Sequence, residues 1–414
     1  MAKRIIVIGS GFAGLWTAIG AKRVIDLNKN LLGDQGIEVL VIAPEPKLVI
    51  RPRLYEPNAA NMSAPLEDLF AATGVRFTQG VVQAIRVKEK EIEMVNMAGV
   101  SSILSYDRLV LAAGSRLIRP EITGLQDHSF SIDTIQEAAN LEAHLRHLAA
   151  LPPTQARNTV VICGGGFTGI ELATELPRRL RAILGLETKV RVIVVERSDV
   201  IGPSLGDNVR PIIAKALEDV EVEVKLGTTI KSVDAGGIVT TAGERIEALS
   251  VVWTVGMEAT PLTKQIPGEK DSMGRLIVDR NLRVPSCTDI FATGDAASAM
   301  TDNEGNFTIM SCQHAIPLGR VSGYNVAADL LKMELRPYEQ PTYETCLDLG
   351  AWGSVITWGW ERRVVKSGAT VKEAKEFVNR ILIYPPTNPA EAFAFSDPDL
   401  VRPTSKTYLD PVQG

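Results

Sequence analysis

The segment RIIVIGSGFAGLWTA, residues 4–18, places an apolar run before a glycine-rich turn and a helix-forming run. Gly9, Gly11 and Gly14 fit the pattern G-x-G-x-x-G. In this pattern the first glycine makes a tight turn, the second lets the backbone approach a diphosphate, and the third packs the helix on the strand. A phosphate bound there lies at the positive end of the helix dipole. The segment therefore predicts a strand–turn–helix unit that binds a dinucleotide.

The same arrangement occurs a second time in VVICGGGFTGIELATEL, residues 160–176, where Gly164, Gly166 and Gly169 repeat the spacing. The first glycines of the two patterns lie 164 − 9 = 155 residues apart. A single match is weak evidence, because glycine clusters also form plain loops. Two matches, each after a Val/Ile-rich run and before a helix-forming run, predict two dinucleotide-binding units in one chain.

Length and charge narrow the class of protein. The chain has 414 residues, which is enough for two or three domains at about 150 residues each. Its formal net charge is −5 and it has no block of Lys or Arg, so we expect no nucleic-acid partner. No apolar run reaches about 18 residues, and the N-terminal segment lacks a cleavage site for a signal peptide. We therefore expect a cytoplasmic protein without integral membrane contact.

The cysteines indicate a reducing compartment. They are widely scattered and form no C-x-x-C pair, which argues against a disulfide framework and against a zinc site. We therefore predict no metal site. The four are Cys163, Cys287, Cys312 and Cys346.

The strand ends distinguish the two nucleotide units. VRVIVVERSDVI ends its apolar run at Glu196, 196 − 169 = 27 residues past the third glycine of the second pattern. A carboxylate there accepts hydrogen bonds from an adenine ribose and repels the 2′-phosphate of NADPH, which favours NADH. Arg197 beside it could attract that phosphate, so NADPH stays possible. The matching strand of the first unit, IEVLVIAPEP, ends near Pro44, where Glu45 or backbone groups could serve instead of an acid.

Three further segments repeat the strand-then-turn theme. CTDIFATGDAA, residues 287–297, ends an apolar run at Asp295, which could meet the ribityl chain or pyrophosphate of a flavin, or simply cap a helix. SYDRLVLAAGS, residues 105–115, turns at Gly114, and ALSVVWTVGMEATP, residues 248–261, turns at Gly256. The last two lie near the end of each nucleotide unit, where the chain passes between domains.

These elements, taken in order, resemble the flavoproteins with two dinucleotide-binding domains, the pyridine nucleotide-disulfide oxidoreductase superfamily. The resemblance covers residue 1 to about residue 325, and it implies FAD in the first unit and NAD(P)H in the second, where the flavin carries the redox chemistry. The implied FAD contacts are Gly9, Gly11, Phe12, Ala13, Gly14, Pro44, Pro52, Val82, Ala113, Gly114, Asp295 and Ala315. The NAD contacts are Gly164, Gly166, Phe167, Thr168, Gly169, Glu196 and Gly256.

We accordingly predict an α/β fold with two Rossmann-like nucleotide-binding domains and a C-terminal α+β domain. The FAD domain is expected at residues 1–116 and 276–325, and the NAD(P)H domain at residues 155–275. A helical link at residues 134–151 precedes the second unit. Residues 326–414 form a C-terminal interface domain, which in this superfamily packs on the FAD domain and could mediate a homodimer.

The C-terminal region is expected to contain strands with tight glycine turns in residues 343–365, followed by a helix in TVKEAKEFVNRILI, residues 370–383. Classical type II NADH dehydrogenases end in amphipathic membrane helices. Here YPPTNPAEAFAFSDPDLVRPTSKTYLDPVQG, residues 384–414, is rich in Pro and Asp, which predicts no such helix.

Cysteine positions decide between branches of the superfamily. Disulfide reductases carry C-x4-C after the first phosphate turn, whereas residues 40–62 hold no cysteine, so we expect no redox disulfide. A sulfide:quinone oxidoreductase would need two cysteines converging on the flavin. We interpret Cys163 and Cys346 instead as buried structural thiols.

Two segments are similar to type II NADH dehydrogenases. IRPRLYEPNA, residues 50–59, matches a segment that lines the flavin in that family, which makes Tyr55 a candidate for the acceptor pocket. SCQHAIPLGR, residues 311–320, aligns with the A-Q-x-A-x-Q motif, which covers the acceptor side of the flavin. Gln313 and Ala315 match this motif, whereas Cys312 and Pro317 depart from it at positions that bear on quinone binding.

Glu171, His314 and Gln313 are the candidate catalytic residues. The resemblance places Glu171 near the nicotinamide and the flavin, although an acid in a first helical turn also stabilises the helix dipole. His314 could contact the flavin or donate a proton to the reduced acceptor, or it could be a structural hydrogen-bonding residue. Gln313, with Tyr55, is expected to shape the acceptor pocket.

The predicted function is an FAD-dependent NAD(P)H:acceptor oxidoreductase that passes a hydride from NADH to FAD and the electrons on to a quinone or another small conjugated molecule. Two alternatives stay open. One is a reductase of a ferredoxin-like protein, and the other is a slow flavoprotein with a binding or signalling role.

Overall fold

The computed structural model describes residues 3–31 and 36–400. Its α-helices are α1 (Phe12–Leu27), α2 (Glu67–Thr73), α3 (Leu125–His128), α4 (Ile135–His147), α5 (Phe167–Leu184), α6 (Arg210–Asp219), α7 (Cys312–Leu330), α8 (Lys372–Phe377) and α9 (Pro389–Phe395). Its strands are β1 (Lys3–Ile8), β2 (Ile37–Ala43), β3 (Lys47–Val49), β4 (Ser63–Pro65), β5 (Arg76–Gln79), β6 (Val81–Arg86), β7 (Glu91–Val95), β8 (Ser101–Ser105), β9 (Arg108–Leu111), β10 (Ser115–Leu117), β11 (Thr159–Cys163), β12 (Arg191–Val195), β13 (Val222–Lys225), β14 (Ile230–Asp234), β15 (Gly237–Thr240), β16 (Arg245–Glu247), β17 (Ser250–Trp253), β18 (Met257–Ala259), β19 (Leu276–Ile277), β20 (Arg283–Val284), β21 (Cys287–Ala292), β22 (Ala297–Ser298), β23 (Glu344–Asp348), β24 (Ser354–Trp358) and β25 (Arg363–Gly368).

The first sheet has the strand order β20-β21-β9-β1-β2-β5. Its strands run parallel except for β20, which pairs antiparallel with β21. The central strand β1 reads as an unbroken apolar run because helices and strands cover both of its faces, and Ile5, Ile6 and Val7 are fully buried. Strand β21 joins this sheet beside β9 although the whole second sheet lies between them in the sequence.

Helices α1 and α7 pack closely on each other beside the first sheet. A Cβ on Gly319 would lie 2.4 Å from the carbonyl oxygen of Ala13, and one on Gly323 would lie 2.5 Å from that of Thr17. Only glycine fits at such a close approach of two backbones. The contact brings the N-termini of both helices to the same end of the first sheet.

The second sheet is parallel, with the order β13-β12-β11-β17. Strand β11 leads into α5 in the same way as β1 leads into α1. The two Rossmann-type units of the predicted α/β fold are therefore present. The antiparallel pair β10 and β18 joins the units, with Ser115 opposite Ala259 and Leu117 opposite Met257. The domain boundaries inferred from the sequence stay predictions.

The C-terminal region contains the antiparallel sheet β23-β24-β25. The helix expected over residues 370–383 is a short α-helix, α8, that continues as a π-helical turn over Val378–Leu382. The described part of residues 384–414 forms one short helix, α9, and the expectation that this segment makes no amphipathic membrane helix stays a prediction. Pro389 occupies the first helical turn, where proline is tolerated, and the Asn388 side chain accepts hydrogen bonds from two backbone N–H groups.

Helix α9 packs against α1 and α2. Within residues 3–31 and 36–400, no helix combines the length and the hydropathy needed to cross a membrane. The last part of the C-terminal segment, residues 401–414, lies outside the described residues.

Candidate active site

A large cavity of about 1330 Å³ opens where the N-termini of α1 and α7 meet the C-terminal sheet. Cavities for drug-sized ligands measure roughly 300–1,000 Å³, so this one has room for a larger, extended ligand. Its wall includes all the sequence-predicted FAD residues except Gly14. These are Gly9, Gly11, Phe12, Ala13, Pro44, Pro52, Val82, Ala113, Gly114, Asp295 and Ala315.

The first glycine turn has the geometry of a dinucleotide cradle. Gly9 has φ +108°, and a Cβ there would lie 2.4 Å from the carbonyl oxygen of Ala112. A Cβ on Gly11 would meet no described atom within 4 Å, so this glycine faces open space. A Cβ on Gly14 would lie 2.0 Å from the carbonyl oxygen of Gly9, which explains why Gly14 packs helix on strand and does not line the cavity. The three glycines thus serve the three purposes that the motif requires.

Polar groups for the rest of a flavin nucleotide stand beside this turn. Asp295 accepts a hydrogen bond from the Ser115 hydroxyl at 2.6 Å. Arg51 donates to the same hydroxyl at 3.1 Å and pairs with Asp133. Helix α1 begins after Gly11 without a capping side chain, which leaves the N–H groups of its first turn for a phosphate. The residues present therefore fit FAD.

The second glycine turn repeats this geometry. Gly164 has φ +110°, Gly166 faces open space, and a Cβ on Gly169 would lie 2.0 Å from the carbonyl oxygen of Gly164. Gly256 also has a positive φ, +79°, in the turn after β17. These glycines lie outside the wall of the large cavity. The start of α5 does reach it, through Phe167, Thr168 and Glu171.

Glu196 lies at the end of β12 beside the second turn. Its carboxylate accepts hydrogen bonds from the Gly165 N–H at 2.7 Å and from the Ser198 N–H at 2.8 Å. The side chain is therefore held at the edge of the turn, where an adenine ribose would lie in a Rossmann unit. The sequence placed the acid correctly relative to the turn but gave no sign of these two backbone contacts.

Glu171 forms a buried ion pair at the cavity wall. Its side chain accepts from Lys375 of α8 at 2.7 Å and from the Asp348 N–H at 3.1 Å, and the residue is only 3% exposed. Burial raises the pKa of Glu171 to about 7, because desolvation outweighs the attraction of Lys375. The sequence missed Lys375, since one lysine in a charged helix carries no mark of burial.

Tyr55 lies beside this pair, on the same wall. Its hydroxyl donates to Asp348 at 2.7 Å and accepts from the Asn379 side chain at 3.1 Å. Burial, with Glu171 and Asp348 nearby, raises the pKa of Tyr55 well above its ordinary value. Tyr55 therefore stays a neutral hydrogen-bonding group in the pocket where the resemblance placed it.

Of the motif residues in the first turn of α7, some line the cavity and one does not. Gln313 and Ala315 line the cavity, and the Gln313 side chain accepts from the Glu344 N–H at 3.3 Å. His314 is absent from the described cavity wall, because consecutive helical residues point in different directions. The expectation that His314 contacts the flavin or the acceptor stays a prediction.

His314 is instead buried among aromatic rings, at 1% exposure. Its Nδ1 accepts from the Ile309 N–H at 3.3 Å, and its ring stacks on Tyr343 with centroids 4.9 Å apart. Burial, together with Arg275 and Arg362, lowers the pKa of His314 to about 3. This position off the described cavity wall supports the structural alternative for His314, and its role as a proton donor stays a prediction.

All four cysteines belong to the described residues and are free. Cys312 and Cys346 both line the cavity. Burial raises the pKa of Cys312 to about 11 and that of Cys346 to about 12. Both remain protonated thiols, which are poor nucleophiles. The described residues contain no group of three acidic, His or Cys side chains that could hold a metal ion.

Two glycine turns open the helices α1 and α5, and the first turn and the start of α5 reach one cavity, which defines a two-nucleotide oxidoreductase. The chain belongs to the pyridine nucleotide-disulphide oxidoreductase family, whose model matches residues 3–319. Membership implies FAD and NADH as cofactors. The family, the enzyme class and the α/β fold predicted from the sequence are thereby confirmed.

Relatives and a solved structure extend this assignment. The chain is 42% identical to an NADH dehydrogenase-like protein of Mycobacterium tuberculosis, over 94% of this chain and 96% of the relative. It is 28% identical to a demethylphylloquinone reductase of Synechocystis, over 86% of each. NDH2 of Plasmodium falciparum in complex with NADH superimposes with a TM-score of 0.75 at 14% identity, over 96% of this chain and 98% of that one, which shows the fold alone.

Proposed function

We propose that the protein is an FAD-dependent NADH:quinone oxidoreductase. The observation that carries the proposal is the shared cavity, because its wall combines the first glycine turn with the start of α5 from the second unit. A flavin held at Gly9 and Asp295 and a nicotinamide held at Thr168 would meet there. A quinone acceptor is supported by the Synechocystis relative, which is a demethylphylloquinone reductase.

The overall reaction needs one proton from solution. NADH gives up a hydride, which is two electrons and one proton, and a quinone needs two electrons and two protons to become a quinol. Bound FAD would supply the two-electron carrier between them. Glu171 is suited to supply the further proton, because its raised pKa lets it carry one near neutral pH. Lys375 and the Asp348 N–H hold its carboxyl group at the cavity wall.

The burial of this end of the cavity favours a small acceptor. Glu171, Tyr55 and Lys375 are each buried, so an acceptor must enter the cavity to reach them. A ferredoxin-like protein would need the flavin edge to be exposed at the surface. The reductase of a protein acceptor is therefore the less supported alternative, and the slow signalling flavoprotein is an outcome that kinetics can reveal.

An anaerobic stopped-flow experiment tests the proposal. The oxidised protein is first mixed with NADH, and the reduced protein is then mixed with menadione or, separately, with a ferredoxin. We expect fast flavin bleaching by NADH and fast reoxidation by menadione only. Reoxidation by ferredoxin but not by menadione would replace the quinone with a protein acceptor. Slow reoxidation by both would support the signalling role.

A further inference from the structure

Arg362 is a buried arginine on the wall of the same cavity. It belongs to the turn between β24 and β25, and it is only 8% exposed. Its φ is +55°, a conformation that few residues other than glycine adopt, and its N–H donates to the Gly359 carbonyl at 3.0 Å. A strained backbone of this kind persists only where the surroundings enforce it.

Two contacts hold this turn against neighbouring parts of the chain. Asn208, from the second nucleotide unit, donates to the carbonyl of Glu361 at 2.7 Å. Trp360 donates through its indole N–H to the carbonyl of Pro341 at 3.2 Å. The position of Arg362 is therefore fixed by the fold and does not depend on a bound ligand.

The guanidinium of Arg362 has no acid partner. Across residues 3–31 and 36–400 no carboxylate lies within 4 Å of it, and its buried Nη1 has no hydrogen-bond partner there. It contacts the Tyr343 side chain, with the guanidinium carbon 4.3 Å from the ring centroid and a hydrogen bond to the phenol oxygen. By contrast, Arg51 and Lys375, which line the same cavity, pair with Asp133 and Glu171.

A buried charge without a partner is unfavourable, and a cation–π contact recovers only part of the lost hydration. An anionic ligand group in the cavity would supply the missing counter-charge. The location favours the acceptor as its source, because Tyr343 stacks on His314 in the first turn of α7, next to Gln313. The phosphates of NADH have their own site at the glycine turn that opens α5.

We propose that Arg362 binds an anionic group carried by the electron acceptor, so that the preferred acceptors are quinones with a carboxylate or sulfonate near the ring. This inference rests on the proposed quinone reductase function. Arg362 is in this role a specificity-determining residue, since a neutral quinone can still reach Glu171 without it.

The test compares one neutral and one anionic acceptor, menadione and 1,4-naphthoquinone-2-sulfonate, at saturating NADH. Arg362→Met keeps the length of the side chain and removes the charge, so the KM for the sulfonate should rise about tenfold or more. The KM for menadione should change less than twofold. Arg362→Lys should lie between wild type and Arg362→Met, because it keeps the charge but loses the forked geometry.

Arg363→Gln is the matched control. Arg363 is the next residue and the first of β25, but its side chain is 76% exposed and pairs with Glu361. We expect no change in either KM. An equal rise for both quinones in Arg362→Met would overturn the proposal. So would a slower reduction of the flavin by NADH with unchanged acceptor KM, which would assign Arg362 to the nucleotide.

A binding titration separates this inference from the proposed function. Naphthalene-2-sulfonate accepts no electrons, and its binding to the holoenzyme is followed through the flavin spectrum. We expect a Kd about tenfold weaker in Arg362→Met than in wild type or Arg363→Gln. If the sulfonate binds through Arg362 but no quinone is reduced, only the proposed reaction fails. If quinones are reduced but the Kd is the same in all three proteins, only the role of Arg362 fails.

Discussion

Glu171 and Lys375 form an ion pair of 2.7 Å, although Glu171 is the fifth residue of α5 in the second nucleotide unit and Lys375 belongs to the C-terminal region. The pair therefore ties the proposed hydride-donor side of the cavity to its acceptor side. Both residues are almost completely buried, so each depends on the other for its charge state.

Replacing Glu171 with Gln should remove the proton source and leave the shape of the site. We expect reoxidation by menadione to slow about 10²-fold, which is the lower range for general acid catalysis. In wild type this step should slow as the pH rises through about 7, because Glu171 loses its proton there. The variant should show no such dependence. Stopped-flow reoxidation at several pH values measures both effects.

Equal slowing of flavin reduction by NADH in Glu171→Gln would contradict the proton-donor role. It would favour instead the positioning of the nicotinamide carboxamide, the role that the resemblance implies.

Lys375→Met should lower the stability of the fold, because it leaves a buried carboxyl without its partner. Breaking a buried pair in this way lowers the free energy of unfolding by about 3–5 kcal/mol. Denaturant unfolding measures the loss. Glu376→Gln, in the same helix, is the control, since that side chain is 47% exposed and its contact with Arg380 spans 3.9 Å. Comparable losses in the two variants would show that the Glu171–Lys375 pair contributes no more to the free energy of unfolding than an exposed ion pair does.

Glu196→Ser should weaken the preference for NADH over NADPH. The change removes a negative charge that would repel the 2′-phosphate, so we expect the ratio of the two kcat/KM values to shift about tenfold toward NADPH. Steady-state assays with both nucleotides measure it. Arg197→Ala is the companion variant. A wild type that already prefers NADPH, and loses that preference in Arg197→Ala, would assign the choice to the arginine.

Asp295→Ala should reduce the amount of FAD that copurifies with the protein. The carboxylate lines the cavity and is held by the Ser115 hydroxyl, so its loss removes a polar contact for the flavin. The ratio of flavin to protein absorbance measures occupancy. Asp207→Ala, with a side chain that is 91% exposed, should retain the wild-type ratio. Full occupancy in Asp295→Ala would remove Asp295 from the set of flavin contacts.

His314→Ala should lower the stability of the fold and leave the relative rates of flavin reduction and flavin reoxidation unchanged. Removing a buried, stacked ring lowers the free energy of unfolding by about 3 kcal/mol, by analogy with other large-to-small changes in cores. In the folded fraction, we expect flavin reduction and reoxidation to keep their wild-type ratio. A selective loss of reoxidation would support a role for His314 at the acceptor site, which its position away from the cavity wall does not indicate.

The sequence predicted those parts of the site that depend on local backbone geometry. Gly9 and Gly164 mark turns that a short motif defines, and the strand ends at Glu196 and Asp295 follow from the same period of apolar residues. The burial of His314 could not be predicted, because a motif fixes the position of a residue on a helix but not the direction of its side chain.

Lys375 and Arg362 could not be found from the sequence. Both come from the C-terminal region, whose strands and helices resemble those of many proteins. Their burial results from contacts with other segments, Glu171 for Lys375 and Tyr343 for Arg362. No local pattern of residues records such contacts.

Strand β21 pairs with β9 although it lies far later in the sequence, and this affects the order in which the two units fold. The four parallel strands of the second sheet all lie between Thr159 and Trp253, so this unit can form as soon as that stretch has left the ribosome. The first sheet must wait for residues 287–292 to pair with β9. Contacts between such distant segments slow folding, because a long loop must close first. The nicotinamide unit is therefore expected to fold ahead of the flavin unit during synthesis, even though its residues come second.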